Sequence, residues 1–374
     1  MTIKYCSNCL NVSTRPGSDF QENGLCFPCS FKESSPPQEK VNRDLERLIA
    51  FGRANRSNGY DCVVGVSGGK DSTRQAIHIR DVFGLKPLLV SMNYPSEQLS
   101  MLGVQNLTNL VDLGFDCINF SLGADTWRKA MRFAFEHYGN WAKSTEFPLH
   151  GIVPRVAIAY NIPLVWWGES GATALGDMAE MSEEPWDATR LKYGNTLSGG
   201  EVSWLEESGI PRHKFSLYEY PSDSEMQAAG LKIVYMDYFM KDFTNLANGN
   251  FSALRGLSVR KADPEKDADF FGTSMLDENF ININMYLRYL KFGFGRATDL
   301  VNLEIREGRM TRDEGIKLVN LYDGSYSQDI VEKFCNYIDI SELEFWSIID
   351  KFYNKELFDK KANGNYVPKF VVGE

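Results

Sequence analysis

The chain predicts an α/β protein: a mainly parallel sheet with helices on both faces, led by a small cysteine module and followed by a mainly helical region. Three observations carry this. Short apolar, β-branched runs at 62–66, 87–92, 117–120, 163–167 and 231–235 are separated by segments that include stretches of helical periodicity, the alternation that parallel strands need for their crossovers. Four of the seven cysteines form two C-x-x-C pairs within the first thirty residues. From about Asn284 the strand signals cease, and capping boxes (Thr311 with Glu314, Ser341 with Glu344) open helices.

The expected organisation is a module at 1–38, an α/β domain at 39–245 and a mainly helical region at 246–374. Residues 177–224, rich in Glu, Gly, Trp and Pro and poor in periodicity, read as an insertion, either a lid or a plain surface excursion. No internal repeat is visible. No apolar run reaches membrane-span length, and the N-terminus lacks a signal-peptide core, so the expected location is cytoplasmic. A formal charge of −10 disfavours a partner held by many phosphate contacts, so no nucleic-acid partner is expected.

Cys6 and Cys9, then Cys26 and Cys29 after sixteen residues, have the spacing of paired zinc knuckles. Each two-residue gap lets both thiolates reach one ion, and two knuckles close a tetrahedral shell with no open position, which reads as structural Zn²⁺. A redox pair or free thiols are the competing readings. A Ser-Ser-Pro-Pro linker at 34–37 and a helix at 41–55 lead to the centre of the chain.

There, D-C-V-V-G-V-S-G-G-K-D-S at 61–72 gives a buried strand, a turn at Ser67, Gly68 and Gly69, and a helix running from Asp71 towards Gly84. Strand, small-residue turn and helix N-terminus together form an anion site. Lys70 adds a cation, and Ser67 and Ser72 add hydroxyls. Asp71 either holds Mg²⁺ or is simply a favourable acid in a first helical turn. The spacing is not that of a Walker A loop, because Lys70 is followed by Asp71. Since ligands of parallel sheets sit beyond the strands' carboxyl ends, 93–97 and 168–171 join the candidate site.

S-G-G-K-D-S resembles the PP-loop of the ATP pyrophosphatase superfamily (adenine nucleotide alpha hydrolase-like). This implies that ATP is bound by its pyrophosphate and cut between the α and β phosphates. On that resemblance Ser67, Gly68, Gly69, Lys70, Asp71 and Ser72 hold the pyrophosphate and Mg²⁺, and Ser91 and Asn93 lie near the nucleoside. Further motifs are I-P-L-V-W-W-G-E at 162–169, K-F-G-F-G-R-A-T-D at 291–299, I-R-E-G-R-M-T-R-D-E-G at 305–315 and Y-D-G at 322–324. With the cysteine pairs, they make nearly the whole chain resemble the N-acetyl sugar amidotransferase family of bacterial surface-polysaccharide (O-antigen, lipopolysaccharide) and pseudaminic-acid pathways.

The family implies conversion of an acetamido group on a nucleotide-linked (UDP-linked) or nonulosonic sugar into an acetamidino group, using ATP and ammonia. Lys70, Asp71 and Glu169 are then the catalytic candidates. Glu169 either orients the acceptor and handles ammonia's proton or pairs with a nearby arginine. Arg296 reads either as a substrate anion contact or as part of a Gly-flanked turn, and His150 either faces the site or sits in the core. Cys62, Cys117 and Cys335 do not fit a glutaminase nucleophile, and Thr2 stands where an N-terminal cysteine would be required. A separate glutaminase subunit, with an ammonia-channel subunit, is therefore expected. The alternatives are a PP-loop tRNA thiolation enzyme, which the charge argues against, and a non-catalytic zinc-ribbon adaptor, which the intact Lys70 and Asp71 argue against.

Overall fold

The computed structural model describes residues 3–33, 35–178, 186–194 and 196–374. Ser34 of the linker, Thr2, and 179–185 and 195 of the insertion lie outside the described residues.

Two knuckles, each closed by its own antiparallel bridge (Tyr5 with Val12, Phe20 with Cys26), lead into α1 (Phe27–Glu33) and α2 (Gln38–Ala54). The α/β unit then runs β1 (Cys62–Gly65), α3 (Lys70–Asp81), β2 (Pro87–Asn93), α4 (Met101–Asp112), β3 (Cys117–Ser121), α5 (Ala124–Tyr138), α6 (Lys143–Ala159) and β4 (Leu164–Trp167). The short helices α7 (Gly171–Ala174), α8 (Trp204–Glu207) and α9 (Asp223–Ala228) precede β5 (Lys232–Tyr235), and α10 (Asn245–Ala253) and α11 (Pro264–Asp267) follow it. Helices α12 (Ile281–Phe292), α13 (Arg296–Arg306), α14 (Arg312–Tyr322), α15 (Gln328–Ile338) and α16 (Glu342–Phe352) lead to a hairpin of β6 (Phe358–Lys360) and β7 (Tyr366–Pro368).

The sheet order is β3-β2-β1-β4-β5, and every pairing is parallel. All four residues of β1 are buried, as a central strand covered on both faces must be. Side-chain alternation divides the strands between two cores. Val63, Leu88, Val90, Val165 and Ile233 face α5 and α6, where the N-cap residue of α12, Phe280, joins Phe334 of α15 and Phe345 of α16. Cys62, Val64, Leu89, Leu164 and Trp166 face α2 and α3 through Leu48, Ala76 and Ile77. The cysteine module packs on α13 and α14 through Ala297, Val301 and Val319. The insertion buries Trp204, Leu205, Phe215 and Tyr218 against Phe133 and Phe147, so its described part is anchored to α5 and α6.

Some elements differ from expectation. Helix α6 runs for seventeen residues with Pro148 and Pro154 inside it, whereas the sequence alone reads as helical only over 153–160. It is buried around most of its circumference, so it has no polar face to display a period, and tertiary packing overrides the prolines. Helix α10, from a Gly- and Asn-containing stretch, has no counterpart in the sequence reading, nor does the β6–β7 hairpin in the otherwise helical C-terminal region.

Candidate functional site

Within five residues of the end of β1 the chain must turn and start a helix. A Cβ on Gly65 would stand 2.7 Å from the Trp167 ring on the adjacent β4. Gly68 has a φ of +81°, and a Cβ there would meet the Leu107 backbone nitrogen at 2.7 Å, so both positions require glycine. Helix α3 opens at Lys70 with Gly69 as its N-cap and no capping side chain. Its first N–H groups and dipole are thus left to serve an anion. The Ser67 hydroxyl accepts from the Gly69 N–H at 3.3 Å, and that of Ser72 donates to the Gly69 carbonyl at 3.2 Å.

Lys70 donates to one carboxylate oxygen of Asp71 at 2.5 Å. The other oxygen accepts from the buried Asn248 amide at 2.6 Å. The Asn248 carbonyl accepts from Arg74 at 2.7 Å, and Arg74 also binds the Asp242 carboxylate at 2.6 Å. Ser252 donates to the Lys70 carbonyl at 2.7 Å. Helix α10 therefore holds the first turn of α3 by its side chains as well as by packing. No sequence motif marks Asn248; an Asn on a helix is too common a pattern to single out.

The strand order reverses between β1 and β4, the switch point at which such sheets bind ligands. A cleft of about 220 Å³ lies there, with Ser67, Gly69, Asp71 and Ser72 on one side and Trp167, Gly168 and Glu169 on the other. A second cavity of about 410 Å³ adjoins it at Ser67 and Met92, lined by Ser91, Asn93, Asn119 and Asp277. A third, of about 440 Å³, adjoins it at Trp167 and Glu169 and includes His150. The structure thus places Ser91, Asn93, Glu169 and His150 around the loop.

Glu169 is exposed to the two cavities it lines. Enclosure by the fold, and then the negative charge of Asp71, push its pKa up to about 7, with Lys70 pulling it down. Asp237, at the end of β5, accepts from the Ser170 N–H at 3.1 Å and from the Thr173 hydroxyl, which holds the loop bearing Glu169 in place. Burial raises the pKa of Asp237 to about 6. His150 hydrogen-bonds through Nδ1 with the Glu146 carbonyl at 2.9 Å and stacks on Trp167 at 5.4 Å. Arg296 lies elsewhere: it is buried and paired with Asp269 at 3.3 Å. Arg288, on α12, lines the third cavity together with Arg15. The sequence reading passed over it because it precedes the Gly-flanked motif.

That motif explains itself in the fold. Asp323 of Y-D-G accepts from the Gly295 N–H at 2.8 Å, the Thr298 N–H at 3.2 Å and the Thr298 hydroxyl, and so caps α13. Asp299 receives Arg15 of the cysteine module and Arg288 of α12 together.

Cys6, Cys9, Cys26 and Cys29 are buried with their sulfurs within 4.8 Å of one another, 3.6 Å between Cys9 and Cys26. A tetrahedral zinc–thiolate shell has sulfur–sulfur edges of about 3.8 Å, so the cluster fits Zn²⁺. N–H groups of Asn11 and Cys26 and the Asn8 amide point at these sulfurs, as suits thiolate charge. The remaining thiols are inert by burial: that of Cys62 is pushed well up, and those of Cys117 and Cys335 to about 11. Among the described residues, no helix is long and apolar enough to cross a membrane.

Residues 268–370 match the family described as "LPS biosynthesis protein WbpG-like, C-terminal domain". The match covers the stretch carrying K-F-G-F-G-R-A-T-D and Y-D-G, so this region is similar to that of lipopolysaccharide biosynthesis proteins. An uncharacterized protein of Methanocaldococcus jannaschii is 25% identical over 107 residues, 28% of this chain. The chain spans 38% of that relative's length. Among solved structures, NMN synthetase from Francisella tularensis aligns with 61% of this chain and 99% of its own, at 14% identity and a TM-score of 0.28.

Proposed function

We propose that the chain is the synthetase component of an ATP-dependent amidotransferase that turns an acetamido group on a sugar, UDP-linked on the family reading, into an acetamidino group during lipopolysaccharide or related surface-polysaccharide synthesis. The single observation that carries this is the arrangement at the switch point. An anion-binding helix N-terminus with Lys70 and Asp71 faces Glu169 across a cleft that has a cavity on either side.

An amide oxygen is a poor leaving group, so it must be activated. The acetamido oxygen attacks the α-phosphorus of ATP, and the bond to the bridging oxygen breaks. Pyrophosphate leaves towards Lys70 and the N–H groups of α3, where developing charge meets donors already in place. Mg²⁺, when bound, neutralises the departing pyrophosphate; Asp71 is the hard oxygen ligand fitted to hold it. The nucleoside occupies the cavity of Ser91 and Asn93. Ammonia then adds to the O-adenylyl imidate carbon, AMP leaves with the former amide oxygen, and the nitrogen gives up a proton. Glu169, ionised in part at neutral pH, is placed to receive it. Burial raises the thiol pKa values of Cys62, Cys117 and Cys335, which does not suit a glutaminase nucleophile, so we take a separate glutaminase with a conducting subunit as the source of ammonia. The cysteine site is read as structural Zn²⁺.

The test is incubation with ATP, Mg²⁺, ammonium salt and a panel of UDP-linked acetamido sugars. The reading expects AMP and pyrophosphate, with a sugar lighter by about one dalton. An ¹⁸O label in the acetamido group should appear in AMP. ADP with orthophosphate, or label retained in the sugar, would refute it.

A further inference from the structure

We infer that the acceptor sugar binds in the cavity beyond Glu169 and that the cysteine module builds one of its walls, making the module part of acceptor recognition as well as a metal clip. This deepens the function proposed above and rests on it. The cavity is about 440 Å³, room for a sugar ring with its acetamido arm, and it meets the ATP cleft where Trp167 and Glu169 are shared. A ligand there can present a carbonyl oxygen at the junction, while a ligand in the Ser91 cavity approaches from the opposite side of the loop.

The walls suit a sugar. His150 stacked on Trp167 gives one flat aromatic wall, and the guanidiniums of Arg15 and Arg288, seated over the buried Phe294 ring at 4.1 and 4.8 Å, give a polar one. Sugar rings present apolar C–H faces to aromatic planes and hydroxyls to the polar groups around them. Arg15 and Pro16 come from the module, Thr196 from the insertion and Arg288 from the C-terminal region, so three separate parts of the chain converge here.

The module is fastened in that position. The Leu10 N–H donates to Asn302 at 2.7 Å, the Thr14 hydroxyl to the Phe292 carbonyl at 2.5 Å, and the Asn11 amide to the Leu175 carbonyl at 3.3 Å. Arg15 is buried and shares Asp299 with Arg288. A free-standing clip would need none of these contacts. None of them reaches the cleft that holds the triphosphate, so the wall should govern the acceptor and leave ATP alone.

The experiment measures two affinities on the full, zinc-loaded chain: for α,β-methylene-ATP with Mg²⁺, and for UDP-linked acetamido sugars. Pro16→Trp narrows the cavity from the module and Thr196→Trp from the facing loop; both positions are only partly buried, which spares the fold. Each variant should weaken sugar binding by roughly tenfold or more and leave the nucleotide within about twofold, with an unchanged melting temperature. Sugar affinity unaltered in both variants would overturn this inference while leaving the amidotransferase reading intact. Sugar loss in Thr196→Trp alone would place the acceptor here but overturn the module's part. Wild-type chain that binds the nucleotide but none of the sugars would overturn the acceptor reading itself, and failure to bind the nucleotide would overturn the PP-loop reading.

Discussion

Lys70 and Asp71 hold each other by one short hydrogen bond, and each has a different partner to meet when Mg²⁺ and ATP arrive. Replacing Lys70 with Ala or Asp71 with Asn should lower AMP formation by roughly a hundredfold or more while moving the melting temperature little, which calorimetry and product analysis would check together. Asn248 acts through Asp71. With Asn248→Ala the carboxylate loses its neutral amide donor and Arg74 loses one acceptor, so the Mg²⁺ concentration needed for half-maximal rate should rise several-fold. The same change should cost about 1–3 kcal/mol for the orphaned guanidinium hydrogen. An unchanged Mg²⁺ requirement would leave Asn248 a purely structural residue. Glu169 has its own signature. A carboxylate titrating at about 7 and acting as the ionised proton acceptor gives a rate that rises as pH passes through that value. With Glu169→Gln that limb should vanish; a rate profile identical to wild type would remove Glu169 from the chemistry.

At the level of elements, the cysteine module has the widest reach. Its four cysteines and the Leu10, Thr14 and Arg15 contacts tie the N-terminus to α12 and α13. On the proposed zinc reading, adding a chelator or changing Cys9 to Ser should lower the first unfolding transition and release zinc, read by calorimetry and elemental analysis. What the sequence showed and what it hid divide along one physical line. The loop at 67–72, the cysteine pairs and the capping boxes were legible because each is a local pattern whose chemistry is complete within a few residues. Glu169 was legible because strand ends are predictable and parallel sheets bind ligands at one edge. Of helix α6 only the second half, read as 153–160, was legible, since burial on nearly every side erases the period and Pro148 interrupts the first half. The Arg15–Asp299–Arg288 cluster was not legible, because its members lie on three separate segments and become neighbours only when the module docks. Arg296 drew notice through the glycines before it, of which Gly293 ends α12 in left-handed backbone and Gly295 leaves room for Asp323 to cap α13.

Across the whole molecule, the C-terminal region is welded to the α/β unit beside the site, and one buried carboxylate gives that junction a pH dependence. Glu278 accepts from the Phe280 N–H at 2.8 Å, from the Ile281 N–H and from Gln98 at 3.3 Å, and the Gln98 carbonyl in turn receives the Trp127 indole at 2.7 Å. Burial outweighs those donors, Asp277 adds its charge, and the pKa of Glu278 is pushed up to about 8. A carboxyl group whose pKa is higher in the folded chain than in the unfolded one binds more protons when folded. Its contribution is therefore most favourable below the unfolded value and is lost as pH rises towards 8, with a slope of at most about 1.4 kcal/mol per pH unit. Urea unfolding between pH 5 and 8.5 should show wild-type stability falling across that window. Glu278→Gln keeps an acceptor for one N–H but cannot ionise, so it should start less stable and fall less steeply. Parallel slopes for the two chains would mean that Glu278 is ionised throughout and that the three donors, not burial, decide its state.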